Sequence, residues 1–155
     1  MLHVADATTA EDVAAVRVLL REYQTLLGVD LSFQAFESEM RDLPGEYAAP
    51  GGRLLLATHE QTHVGCVALR AAGGARAEMK RLFVRPGNRG LGVGRVLVAR
   101  ILSEASAMGY DEVVLDTLPS MIEAQRLYEQ FGFSDIAAYR PNPIVGTRYL
   151  GKRLT

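Results

Sequence analysis

The 155-residue chain is 48% hydrophobic and 23% charged, which fits one domain over residues 1–155 with a single substantial core. A formal net charge of -1 leaves no surplus of cations for nucleic acid or for an anionic membrane. The lone Cys66 excludes an internal disulfide and a cysteine-rich zinc site, and no apolar run reaches the roughly 18 residues of a membrane span. Met1-Leu2-His3-Val4 meets Asp6 too soon for a secretory leader, so a cytoplasmic location is expected. Of the 17 basic residues only Lys80 and Lys152 are lysines, a bias that a GC-rich coding sequence explains without a functional cause.

Residues 3–5 are a short strand candidate. Thr8 and Glu11 have the spacing of a capping box, and Val13, Val16, Leu20, Tyr23 and Leu27 then recur at helical intervals. A shorter helix is expected over 32–43, with Phe33, Phe36, Met40 and Leu43 on one side. Residues 53–59 and 64–70, rich in Leu and Val around a short polar turn, read as a β-hairpin. A third strand covers 78–84; strict alternation puts Met79 and Phe83 on one face and Glu78, Leu82 and Val84 on the other. A long amphipathic helix follows over 92–108, stopped by Gly109. Residues 112–117 form an apolar strand, and Ser120 with Glu123 has capping-box spacing for a helix that ends near Phe131 and Gly132. Strand candidates at 133–139 and 148–153 complete an α/β chain: a mixed sheet with helices on both faces and a parallel, right-handed crossover around 78–117.

The stretch Arg89-Gly90-Leu91-Gly92-Val93-Gly94-Arg95 lies between a strand and a helix start, where a phosphate-binding turn belongs. Glycines there let the backbone approach an anion, and the free N–H groups of the first helical turn point at it. The dinucleotide fingerprint fails, because the position needing its third glycine is Arg95 or Leu97, and no Gly-Lys-Ser/Thr supports a P-loop. Arg89-x-x-Gly92-x-Gly94 remains, joined later by Leu127-Tyr128-x-x-x-Gly132-Phe133.

These two motifs, with the element order between them, resemble those of the GCN5-related N-acetyltransferase superfamily. The resemblance covers the whole chain and implies a sheet splayed between the strands at 78–84 and 112–117, a gap that admits the pantetheine arm of acetyl-CoA. It implies that Leu82, Phe83 and Val84 offer backbone groups to that arm. Arg89, Gly90, Leu91, Gly92, Val93, Gly94 and Arg95 would hold the pyrophosphate. It further implies direct transfer of an acetyl group from acetyl-CoA, as co-substrate, to a primary amine on a small molecule or a protein, and it allows a homodimer.

An alkylammonium has a pKa near about 10.4, so acetyl transfer needs a base, and it needs donors for the thioester oxygen and the departing sulfur. Tyr128 matches the family's general acid toward that sulfur; the competing reading is a ring that only packs. Glu78, eleven residues before Arg89, resembles the family's general base; the competing readings are a solvated carboxylate or a partner of Arg81 or Arg76. One departure from the family pattern is Met121, which stands where many members carry asparagine, so Ser120 or backbone would hold acyl-CoA there.

Cys66, inside an apolar strand, is expected to be a buried core thiol, and His3, His59 and His63 show no metal-ligand spacing, so no metal is expected. The resemblance implies that acceptor specificity lies in 23–43 and in 139–147; Glu22, Asp30, Glu37 and Glu39 make the first region acidic, which either suits a cationic amine or is a solvated helix face. In the second, Tyr139-Arg140-Pro141-Asn142-Pro143 is either a stiff loop over the acceptor pocket or a plain linker. A second functional class remains open from sequence alone: a non-catalytic acyl-CoA-binding regulatory module, which would need neither Glu78 nor Tyr128.

Overall fold

Seven strands form one mixed sheet in the computed structural model, which describes residues 1–154 apart from the side chain of Phe33. The strands are β1 (Leu2–Asp6), β2 (Arg53–His59), β3 (Thr62–Ala71), β4 (Arg76–Val84), β5 (Glu112–Thr117), β6 (Ser134–Asp135) and β7 (Arg148–Arg153). Their spatial order is β1-β2-β3-β4-β5-β7-β6, and among the described residues β4–β5 is the one parallel pair. Helices α1 (Ala10–Leu27) and α2 (Phe36–Asp42) cover one face; α3 (Val93–Ala107) and α4 (Ile122–Gln130) cover the other. With both faces covered, a central strand reads as a continuous apolar run. In β2, Leu54 and Leu56 join the core under α1, while Leu55 and Ala57 join the core under α3. Full burial of side chains such as Leu97 and Ile101 on α3 contributes about 1.5–3 kcal/mol apiece.

The order of strands and α-helices is the expected one; the local punctuation differs. Helix α1 is capped by Thr9, whose Oγ1 accepts from Asp12 N at 3.1 Å, one residue later than the Thr8–Glu11 box. The Ser120–Glu123 box does not form: Met121 is the cap of α4, and the chain enters through a turn in which Met121 N donates to Leu118 O. The helix expected over 32–43 is divided at Ala35 (φ 55°) into a 3₁₀ turn and α2. The strand expected over 133–139 shortens to Ser134–Asp135, because after Ile136 bonds Tyr149 the chain leaves the sheet.

The alternation expected in β4 also fails. Met79 packs under α3 while Phe83 lies in the core on the α1 side, and Leu82 and Val84 pack on the α3 side. A β-bulge is the cause. The β3–β4 register slips between Cys66↔Phe83 and Ala68↔Lys80, and Arg81 has φ 62°. One extra residue inverts every side chain after it.

Candidate functional site

The β4–β5 ladder holds for three residue pairs, Arg76↔Glu112, Ala77↔Val113 and Glu78↔Val114, and then stops. Both strands continue, β4 to Val84 and β5 to Thr117, so the sheet opens between them. The bulge sits on the lip of this opening. Its left-handed residue is held by a buried ion pair: Arg81 donates to both oxygens of Glu39 at 2.9 Å, and its guanidinium lies 5.0 Å from the Phe36 ring centroid. Burial would push Arg81 down, but the Glu39 carboxylate more than offsets it, so the guanidinium stays charged.

On the outer side of the opening lies a groove of about 750 Å³. Leu82, Phe83 and Val84 form one wall, the end of α1 (Tyr23, Leu26, Leu27) a second, and α4 a third. A 3₁₀ turn over Pro86–Leu91 brings the chain to Gly92, whose φ of 74° turns it into α3. The first helical bond runs from Val96 N to Gly92 O at 3.1 Å, so the amides of Val93, Gly94 and Arg95 precede the ladder and have no intrahelical acceptor. Gly94 makes this end of the groove accessible: a Cβ there would stand 3.3 Å from Leu127 Cδ2. The cradle of amides, with the α3 dipole behind it, fits a pyrophosphate.

Arg89, Gly92, Gly94 and Arg95 line the groove together with Leu82–Val84. Gly90 and Leu91 sit in the exposed approach turn, and the Val93 side chain is fully buried in the core under α3, leaving only its amide to contribute. Ser120 lines the groove beside Met121.

Inside the opening is a second cavity of about 40 Å³, which shares Tyr23, Leu82 and Met121 with the groove. Tyr128 reaches it from the α4 side, its ring 5.8 Å from that of Phe133. Burial, with smaller contributions from Tyr23 and Asp116, pushes the Tyr128 hydroxyl well above the usual phenol range, so it stays protonated. From the other face come Gln34, Lys80, Arg81 and Asp116. Burial and the neighbouring Arg81 push the Lys80 ammonium down to about 8, against the opposing pull of Glu78 and Asp116.

Glu78 is 1% exposed, and both its oxygens are engaged. Arg70 donates to Oε1 at 2.9 Å, Tyr139 donates to Oε2 at 2.6 Å, and Arg140 also pairs with Oε2. Burial alone would raise its pKa; the charge of Lys80 and the bonds from Arg140 and Tyr139 reverse that and hold it below the usual carboxylate range. The partners suggested by sequence are committed elsewhere, Arg81 to Glu39 and Arg76 to Glu112. The segment around Tyr139 is therefore pinned over the cavity: Tyr139 and Arg140 are tied to Glu78, Tyr149 donates to Arg140 O at 2.7 Å, and Asn142 lines the cavity.

The acidic residues Glu22, Asp30, Glu37 and Glu39 are each engaged by groups of this chain. Glu22 pairs with Arg85, Glu37 with Arg21, Glu39 with Arg81 and Tyr47, and Asp30 accepts from Ser32 N. Cys66 is buried, with burial pushing its thiol up to about 12. Sequence reasoning missed Gln34, Arg70 and Asp116, which carry no motif. Lys80 carried one faint signal, as one of two lysines in an arginine-rich chain.

Among the described residues no helix is long and apolar enough to cross a membrane. The acetyltransferase (GNAT) family model matches residues 14–133. An uncharacterised N-acetyltransferase of Schizosaccharomyces pombe is 40% identical over 142 residues, 90% of this chain and 87% of that protein. A GNAT-family acetyltransferase from Staphylococcus aureus Mu50 superposes with a TM-score of 0.83 over 100% of both chains at 21% identity. The PaiA N-acetyltransferase of Thermoplasma acidophilum, solved in complex with coenzyme A, superposes with a TM-score of 0.76 over 99% of both chains at 14% identity. These likenesses set aside the non-catalytic module. The glycine turn, the split between β4 and β5 and the family's domain coincide in one molecule, and the chain belongs to the acetyltransferase (GNAT) family as an N-acetyltransferase.

Proposed function

We propose that acetyl-CoA is the donor and that its acetyl group passes directly to a primary amine. The observation that carries the reading is the opened sheet, with a glycine-lined anion cradle at one end of its groove and a buried tyrosine in the cavity at the other. The pyrophosphate rests on the amides of Val93, Gly94 and Arg95, flanked by Arg89. The pantetheine arm lies along Leu82–Val84, which places the thioester where groove and cavity meet.

The amine nitrogen attacks the carbonyl carbon, forming the N–C bond. Collapse of the intermediate breaks C–S, and the electron pair leaves on sulfur. Tyr128 is the hydrogen-bond donor to that sulfur; the nitrogen's proton passes to solvent and the thiolate takes one from solvent, so a neutral amine and acetyl-CoA give an amide and CoA with no net proton. A phenol pushed upward stabilises the thiolate chiefly through a hydrogen bond, because complete transfer to a thiolate near about 8.5 is uphill.

Glu78 enters as a positioning residue. Its oxygens already accept from Arg70, Tyr139 and Arg140, and its low pKa makes it a weak base. It ties β4 to the loop over the cavity. With acetyl-CoA as donor the enzyme works in the cytoplasm, which cell fractionation checks.

Calorimetry with acetyl-CoA, followed by thiol release with a panel of primary amines, tests the reading. Binding together with amine-dependent release is expected. A folded protein that does not bind acetyl-CoA overturns it.

A further inference from the structure

Two buried acceptors line the small cavity with nothing donating to them. Gln34 Oε1 and Asp116 Oδ2 are both inaccessible, and neither has a hydrogen-bond partner among the described residues. A buried acceptor left unmade costs about 1–3 kcal/mol, so a pair in one cavity calls for a ligand that brings donors.

Their placement follows from the sheet. Asp116 lies two residues beyond Val114 and Lys80 two beyond Glu78, the last paired residues of β5 and β4. Side chains alternate with period two, so Lys80 and Asp116 face each other across the mouth of the opening, on the side covered by α1 and α2. Gln34, from the turn before α2, closes that side. Tyr128 and Met121 bound the cavity toward the groove.

We infer that this cavity is the acceptor subsite, in which Asp116 Oδ2 and Gln34 Oε1 accept the two N–H bonds of an unhindered, neutral primary amine. The inference rests on the proposed donor reading. Two acceptors match the two N–H groups of such an amine and leave its lone pair free to face the thioester. At about 40 Å³, against about 750 Å³ for the groove, the cavity admits only the reacting end of an acceptor. Lys80 and Arg81 oppose an ammonium there and Asp116 favours one; the form that attacks is the neutral amine, whose lone pair is free. A secondary amine brings one N–H and an extra carbon and leaves an acceptor unmade.

The test uses CoA-loaded enzyme, which cannot turn over, with propylamine as probe at constant pH. The side-chain carboxyl carbon of Asp116 is followed by NMR and assigned by its loss in Asp116→Asn. A saturable shift with propylamine is expected, with at least tenfold weaker binding of N-methylpropylamine. Gln34→Leu should weaken the propylamine titration roughly 3–10-fold, the worth of one hydrogen bond, while CoA affinity stays within twofold. An Asp116 carbon that ignores propylamine while CoA remains bound overturns the subsite, as does equal binding of the two amines. Failure of CoA itself to bind overturns the donor reading instead, so the two failures are told apart.

Discussion

The groove and the cavity meet at the same residues but are built on opposite principles. The groove is made from one stretch of chain, residues 82–95, plus the sides of α1 and α4, and what it offers the proposed donor is mostly backbone amides and the absence of side chains at Gly92 and Gly94. The cavity is made from side chains of α1, the turn before α2, β4, β5, α4 and the loop before β7, and its lining sets charged Lys80, Arg81 and Asp116 beside neutral Gln34, Tyr128 and Asn142. A ligand used unchanged can be met by backbone, whose geometry does not depend on residue type. A reacting group needs particular side chains at particular heights, which only tertiary structure supplies. Damage to the groove should therefore appear as lost affinity, and damage to the cavity as lost rate or lost fold.

The sharpest way to break this distinction is Tyr128→Phe, which keeps the ring against Phe133 and removes the donor. Turnover should fall roughly 10²–10⁴-fold, measured where chemistry limits the rate, with acetyl-CoA affinity unchanged. Unchanged turnover would reduce Tyr128 to packing.

Glu78→Gln comes next and should act mainly on stability. Removing one partner of a buried ion pair costs about 3–5 kcal/mol. Arg70 and Arg140 keep 23% and 28% of their side chains in water, so about 3 kcal/mol is expected, a fall in Tm of roughly 6–12 °C. The folded pKa of Glu78 lies below its unfolded value, so its contribution is fully present above about pH 4.5 and is lost as pH falls through the folded value. The gap in Tm between parent and variant should close on acidification. A gap constant from pH 7 to pH 3, or a variant whose slow turnover recovers at high pH, would favour the base role instead.

Gly94→Val ranks third. Its branched side chain must share space with Leu127 at the groove's end, and acetyl-CoA affinity should drop on the order of 10–100-fold with Tm nearly unchanged. Equal affinity in a folded variant would remove the pyrophosphate assignment. Thr9→Ala, remote from both regions, should cost about 1 kcal/mol through loss of the α1 cap and leave acetyl-CoA affinity untouched, as chemical denaturation with calorimetry can check.

The same contrast decides what the sequence could tell. The turn and helix start at Arg89 to Arg95 were legible because glycine spacing beside a helix start is a local property. The order of elements was legible from periodicity. The clasp on Glu78 draws in Tyr139 from 61 positions away, together with Arg70 and Arg140, and no spacing rule links them. Asp116 looked like any strand residue until the ladder stopped two residues before it. The faces of β4 were misread because period-two alternation assumes an unbroken strand, and Arg81 has no sequence mark of the left-handed conformation it adopts.

That single residue acts as a phase shifter. Up to Lys80, β4 keeps step with its neighbours; beyond Arg81 it runs half a period out, so the row Leu82–Val84 that paves the groove is the row an unbroken strand would have turned toward α1. Deleting one residue there would restore the rhythm and exchange the two rows, carrying Phe83 to the α3 side and Leu82 and Val84 away from it. Shortening β4 by one position is thus a graver change than replacing any side chain along it, because what the groove inherits from Arg81 is a count as much as a contact.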